Sequence, residues 1–152
     1  MEVTVTDIVK HIIEEDGQRT YPHECCGFMY GKEENGKRII THAEPVNNTK
    51  VENRERRFEI SPLDYMKAEE YADSNGLQLL GVYHSHPEHP AIPSEHDLRV
   101  AMPYFSYVIV SVKKAKTVDF RSWRLSSGRF EEEKVVFKEE LNLKDLITMG
   151  TN

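Results

Sequence analysis

The sequence predicts an α/β fold of the α+β kind, with about three helices set around six or seven strands of one mixed sheet. Three observations carry this reading. Helical spacing with a capping residue recurs along the chain. Apolar runs of strand length stand between those segments. Asn35-Gly36 joins two strands as a tight hairpin. The elements come in mixed order, and periodicity leaves the strand order open.

The first element is read as a helix. Ile8, Val9, Ile12 and Ile13 recur at helical spacing, Thr4 and Asp7 are placed as a capping box, and Gly17 offers a stop. After a polar loop, residues 26–31 read as a buried strand, and residues 37–45 return from the Asn35-Gly36 turn. Residues 46–56 are polar and read as a long loop, followed by a short strand over 57–60. Ser61 caps a second helix, with Pro62 at its first position, Asp64 completing the box and Gly76 ending it. Residues 77–83 form a mostly apolar strand. A third helix runs over 97–102 and stops at Pro103. Residues 107–112 are a strongly apolar strand. Residues 117–124 alternate, with Val118 and Phe120 on one face. Ser126-Ser127-Gly128 turns the chain into a last strand over 130–137. Residues 1–137 are thus one domain. Residues 138–152, with Leu141, Leu143, Leu146 and Ile147, are a C-terminal tail that docks as a short helix or frays.

A chain of 152 residues suits one domain. Mean hydropathy is −0.62, so the core is economical. Twenty Lys and Arg against 26 Asp and Glu give a net charge of −6, which argues against a broad basic surface for nucleic acid. No apolar run approaches the roughly 18 residues that span a membrane. The N-terminus carries Glu2 and Asp7 and lacks the basic start of a secretory signal. Cys25 and Cys26 are adjacent, and neighbouring cysteines rarely pair, so no disulfide framework is expected. The expectation is a soluble, reduced, cytoplasmic domain without nucleic-acid or membrane partners.

The informative segment is Gly81-Val82-Tyr83-His84-Ser85-His86-Pro87, followed by Ser94-Glu95-His96-Asp97. In extended chain, residues i and i+2 point to one side, so the two imidazoles can converge. Asp97 lies eleven residues after His86, in the first turn of a helix. The loop between them contains Pro87, Pro90 and Pro93 and is long enough to fold the helix start over the strand end. Two nitrogens, one carboxylate oxygen and an open fourth position make the pattern of a catalytic zinc site. Zinc lowers the pKa of bound water to roughly 7 and so supplies hydroxide at neutral pH. Each piece has a plainer explanation: His-x-His pairs often bind nothing, and Ser94-x-x-Asp97 is also a capping box. The plain and the chemical readings are compatible, because a cap holds the carboxylate where a metal can meet it. A hydrolase also needs a general base, and Glu24, at the start of the first apolar strand, is the candidate.

Together, His84-x-His86-Pro87, six residues, Ser94, two residues and Asp97, with Glu24-Cys25-Cys26-Gly27 upstream, resemble the JAMM (MPN-plus) metallopeptidases. The resemblance covers roughly residues 3–137, includes Arg57-Phe58 and Pro62, and keeps the motif spacing in full. It implies zinc bound by His84, His86 and Asp97. It implies that Glu24 takes a proton from the attacking water and passes it to the leaving amine. It implies that Ser94 hydrogen-bonds the oxyanion, and that Ser85 is structural. It further implies a curved mixed sheet flanked by helices, similar to cytidine deaminases, and cleavage of peptide or isopeptide bonds after the C-terminal Gly-Gly of ubiquitin-like proteins. The compact domain, with about nine residues between Asp97 and the next strand, resembles the stand-alone prokaryotic members. Those are associated with ubiquitin-like sulfur carriers of the ThiS and MoaD type, and the expected partner is such a carrier.

Three other readings compete. A cysteine peptidase would use Cys25 or Cys26, with His23 or a distant histidine as base. A zinc deaminase would need His-x-Glu and a downstream Pro-Cys-x-x-Cys, which the sequence lacks. A non-catalytic interaction module would have lost ligands, and all five key residues are kept. Elsewhere, His89 and His96 are expected at exposed positions near the site, and His11, His23 and His42 on the surface. Trp123 and Phe120 are expected in sheet packing, and Glu131-Glu132-Glu133 on a solvated face. Arg54, Arg56 and Arg57 are balanced by Glu52 and Glu55.

Overall fold

The computed structural model describes residues 1–47 and 58–139. The element order is β1 (Glu2–Thr6), α1 (Asp7–Thr20), β2 (Cys26–Glu34), β3 (Lys37–Val46), α2 (Pro62–Ser74), β4 (Gln78–Pro87), α3 (Glu95–Val100), β5 (Ser106–Lys113), β6 (Lys116–Ser126) and β7 (Arg129–Lys138). The expected mixed sheet is present, and it curves far enough to close. Its strand order is β1-β3-β2-β4-β5-β6-β7, and β1 pairs in parallel with both β3 and β7. β4 and β5 are also parallel, and the remaining neighbours are antiparallel. Closure gives every strand a neighbour on both sides over at least part of its length.

Side chains alternate across the sheet, and each face carries a core. On one face Met29, Tyr83, Val108 and Val110 pack with Val9 and Ile13 of α1. On the other Phe28, Val82 and Tyr107 pack with Ala68 and Ala72 of α2. Alternation along β4 therefore places His84 and His86 on the face that carries Val82. Gly27 is required by the close approach of neighbours: a Cβ there would overlap the Tyr83 ring and the Glu44 carbonyl.

The hairpin at Asn35-Gly36 forms as expected, with positive φ at both residues, as its turn demands. Ser61 caps α2, its Oγ accepting from the Asp64 N–H at 3.1 Å. The start of the chain differs from expectation. Residues 2–6 form β1, because Val3 and Val5 alternate into the core while β3 and β7 satisfy the backbone. Thr6, not Thr4, caps α1 by accepting from the Val9 N–H. Gly17 lies inside α1 rather than ending it. The helix presses on the sheet there, and an added Cβ would come within 3.2 Å of Val112.

The short strand expected over 57–60 does not form at Phe58–Ile60, which has no strand pairing. Both Phe58 and Ile60 are buried in the α2-side core, so burial rather than pairing accounts for their apolar character. The third helix begins at Glu95, two residues earlier than expected. Glu133 is not on a solvated face. In β7 it points inward beside its neighbour Ser122, accepts from Ser122 and Ser106 at 2.8 and 3.0 Å, and pairs with Arg124. Glu131 and Glu132 remain exposed. The Arg54, Arg56 and Arg57 cluster, most of the expected 46–56 loop, and Leu141 to Ile147 of the tail lie outside the described residues. Among the described residues no helix is long and apolar enough to cross a membrane.

Candidate active site

His84 and His86 sit two apart near the end of β4, on one face of the sheet. Asp97 reaches them from the first turn of α3. That helix is held in place by a full capping box: the Ser94 Oγ accepts from the Asp97 N–H at 3.1 Å, and the Ser94 N–H donates to Asp97 Oδ2 at 2.8 Å. The three side chains meet. His84 Nε2 is 3.3 Å from His86 Nε2 and 3.2 Å from Asp97 Oδ1, and His86 Nε2 is 3.1 Å from Asp97 Oδ2. Ligands at 2.0–2.1 Å on a tetrahedral zinc are about 3.3 Å apart. Glu24 closes the group, offering an oxygen within 4.8 Å of both imidazoles. All five residues singled out by spacing are thus brought to one place.

The protonation pattern tests whether a cation fits. His86 Nδ1 lies 2.8 Å from the Pro90 carbonyl oxygen, which can only accept, so the ring proton sits on Nδ1. A neutral His86 then turns its Nε2 lone pair to the Asp97 carboxylate and to His84 Nε2. Lone pairs and a carboxylate at such range repel unless a proton or a metal cation stands between them. Fixing Nε2 through a bond at Nδ1 is also the usual way a protein orients a metal-binding imidazole. His84 is fully buried, and its Nδ1 has no partner among the described residues. Burial lowers the His84 pKa, against the opposing pull of Asp97, which favours the neutral, metal-binding form. The Phe58 ring stacks on His84 at 4.3 Å and shields it from water.

The two acids are tuned apart. Burial would raise the Asp97 pKa, but positive charge at His84, hydrogen bonds from the two imidazoles when a proton faces Asp97, and the Ser94 N–H more than offset it and hold the carboxyl well below the usual carboxylate range. Glu24 is 1% exposed, and burial, with the Asp97 charge beside it, pushes its carboxyl up to about 9. An acid kept basic by burial beside a permanent carboxylate is the arrangement that separates proton carrier from ligand. Glu24 also borders open space on two sides. It lines a cavity of about 410 Å³ with His86, Pro90, Ile92 and Ser94, and another of about 270 Å³ with Asp16, Arg19 and Asn47.

Ser85, expected to be structural, accepts from the Cys25 N–H at 2.8 Å and so ties β4 to the segment that carries Glu24. Cys25 and Cys26 are buried thiols. Burial, with lesser help from Asp16 and other acids, pushes Cys26 up to about 12 and raises Cys25 as well. Of the remaining histidines, His11, His42 and His89 are exposed, as expected. His23 is half-buried, and so is His96, which meets the Phe58 carbonyl at 3.2 Å. The spacing of the motif gave no sign of the parts played by Phe58 and the Pro90 carbonyl.

A closed mixed sheet with a His-x-His pair facing a capped Asp and a buried Glu defines a small JAB-type domain. A family model described as prokaryotic homologs of the JAB domain matches residues 7–126, and the chain belongs to that family. Among curated proteins, a desampylase of Haloferax volcanii is 36% identical over 59% of this chain and 63% of its own length, just under two thirds. A desampylase of Pyrococcus furiosus is 32% identical over 74% of this chain and 75% of its own. A CysO-cysteine peptidase of Mycobacterium tuberculosis is 31% identical over 81% and 82%. Among solved structures, a protein of Desulfitobacterium hafniense superposes with a TM-score of 0.81 at 30% identity, covering 92% of this chain and 95% of that one.

Proposed function

We propose that this chain is a zinc-dependent peptidase or isopeptidase that cleaves after the C-terminal Gly-Gly of a ubiquitin-like protein of the ThiS or MoaD sulfur-carrier type. The observation that carries the reading is the convergence of His84 Nε2, His86 Nε2 and Asp97 at 3.1–3.3 Å, with Glu24 beside them. The names of the relatives, a CysO-cysteine peptidase and two desampylases, support a peptidase acting on a conjugate of a small protein.

His84, His86 and Asp97 would hold the ion. Bound there, zinc supplies a Lewis acid for the scissile carbonyl and lowers the pKa of an attacking water. Glu24 accepts the proton that the water gives up as its oxygen bonds to the carbonyl carbon, and returns it to the leaving nitrogen as the C–N bond breaks. Raised to about 9 by burial and the Asp97 charge, Glu24 holds a proton at neutral pH in the metal-free site, and the charge of a bound dication would lower it to where it can accept a proton and give it back. Ser94 uses its Oγ lone pair for the helix cap, which leaves its hydroxyl proton to donate to the carbonyl oxygen as charge develops. A cysteine nucleophile is disfavoured, since both thiols are buried and neither is poised as a thiolate at neutral pH. Intact-mass analysis of ThiS- and MoaD-type carriers bearing C-terminal extensions, with and without chelator, tests the substrate class. Release of the extension at the Gly-Gly end in the chelator-free arm is the expected result. Uncleaved carriers of every kind would remove this substrate from the proposal.

A further inference from the structure

The loop between His86 and Ser94 is pinned in an unusual way. Three successive carbonyls each accept one side-chain hydrogen bond, and each donor comes from a different strand. The His89 carbonyl accepts from Ser111 of β5 at 2.5 Å, the Pro90 carbonyl meets His86 of β4 at 2.8 Å, and the Ala91 carbonyl accepts from the Trp123 indole of β6 at 3.0 Å. The loop entry is fixed too. Glu88 holds a left-handed φ of 59°, its N–H donates to Val112 O, and its carboxylate accepts from the Lys114 N–H and the Tyr21 hydroxyl. Tyr21 lies three residues before Glu24.

These bonds have one common consequence. The Pro90 carbonyl sets which nitrogen of His86 carries the proton. That carbonyl belongs to the peptide plane before Ala91, and the Ala91 carbonyl belongs to the plane after it. Ala91 is buried, and anchoring both planes fixes its φ and ψ, so the Pro90 oxygen cannot swing away from His86. Trp123 has one polar atom, a donor, and spends it on this anchor. Its role goes beyond the sheet packing that its sequence position suggests.

We infer that Trp123 is a positioning residue for the metal centre: its indole N–H, through the Ala91 carbonyl, holds the Pro90 carbonyl that orients His86. The inference rests on the metal-site reading above. Partners that orient a metal-binding imidazole typically contribute 10- to 100-fold in metal affinity. Trp123 acts one bond further out, and about a tenfold weakening is expected when its N–H is lost.

Trp123 is the single tryptophan of the chain, so biosynthetic replacement alters this site alone. Benzothienylalanine keeps the ring shape and replaces the N–H with sulfur, whereas 4-fluorotryptophan keeps the N–H. Zinc affinity of the three proteins is measured by competition with a chromophoric chelator, alongside the melting temperature of each metal-free form and the visible spectrum of each cobalt-loaded form. The expected result is roughly tenfold weaker zinc binding and an altered cobalt spectrum for the benzothienyl protein, with the fluorinated protein like the parent. Equal affinities and spectra in all three would overturn the inference, whatever the melting temperatures. Should the benzothienyl protein fail to fold, Trp123→Phe, which also removes the N–H to the Ala91 carbonyl while keeping an aromatic ring, is read by the same titration with the same two outcomes. A parent protein that binds no zinc would instead refute the metal site itself.

Discussion

The Nδ1 of His86 lies 2.8 Å from the carbonyl oxygen of Pro90. That one contact decides the chemistry on the far side of the ring, because a carbonyl cannot donate. The proton is held at Nδ1, and Nε2 faces His84 and Asp97 as a donor of electrons. The double variant His84→Ala plus His86→Ala should therefore lose its zinc, as read by elemental analysis of the purified protein. Full retention would place the metal elsewhere.

Glu24 contributes no strand pairing and lies beside the ligand cluster. Glu24→Gln removes the proton acceptor while keeping the size of the side chain. It should fold, keep zinc and hydrolyse at least about two orders of magnitude more slowly. Single-turnover rates at equal metal content check this, and near-normal turnover would take Glu24 out of the mechanism.

Ser94 serves two roles that separate by substitution. As the cap of α3 its hydroxyl oxygen accepts from the Asp97 N–H. Ser94→Ala should cost about 1 kcal/mol of stability. If the hydroxyl also donates to the oxyanion, the chemical step should slow by roughly 100-fold. Ser94→Asp restores a cap but offers negative charge where negative charge develops, so it should be stable and nearly inactive. A stable and active Ser94→Asp protein would leave Ser94 as a cap alone.

The thiols give a chemical check on the competing nucleophile. With its pKa pushed up to about 12, Cys26 is un-ionised at neutral pH, and Cys25 is shifted in the same direction. At pH 8 the thiolate fraction of a pKa 12 thiol is about 1 in 10,000. Iodoacetamide at that pH should leave the native protein unlabelled and active, whereas the denatured chain should take up two labels. Stoichiometric loss of activity on alkylation of one thiol would revive the cysteine mechanism.

Local signals in the sequence went a long way. Asn35-Gly36, Ser61-Pro62 and Ser94-x-x-Asp97 act within a few residues, and their turn and caps stand where local chemistry puts them. The gathering of His84, His86, Asp97 and Glu24 was likewise legible, because alternation and a capped helix fix most of it. What escaped depends on distant partners. β1 exists because β3 and β7 arrive on either side of it, and seven residues of EVTVTDI read more readily as a helix entry. Gly17 looks like a stop until β5 is known to press on it. Glu133 looks solvated until the register sets it beside Ser122. Phe58 looks like a strand residue, while its ring covers His84.

Zinc dependence is the claim on which the rest stands. The most direct measurement removes the metal with a chelator, dialyses, and titrates zinc back against the rate of cleavage of a Gly-Gly-extended ubiquitin-like carrier. The account predicts a metal-free protein that is folded and inactive, with activity rising linearly and levelling at one zinc per chain. A metal-free protein that cleaves the carrier at the parent rate would contradict it.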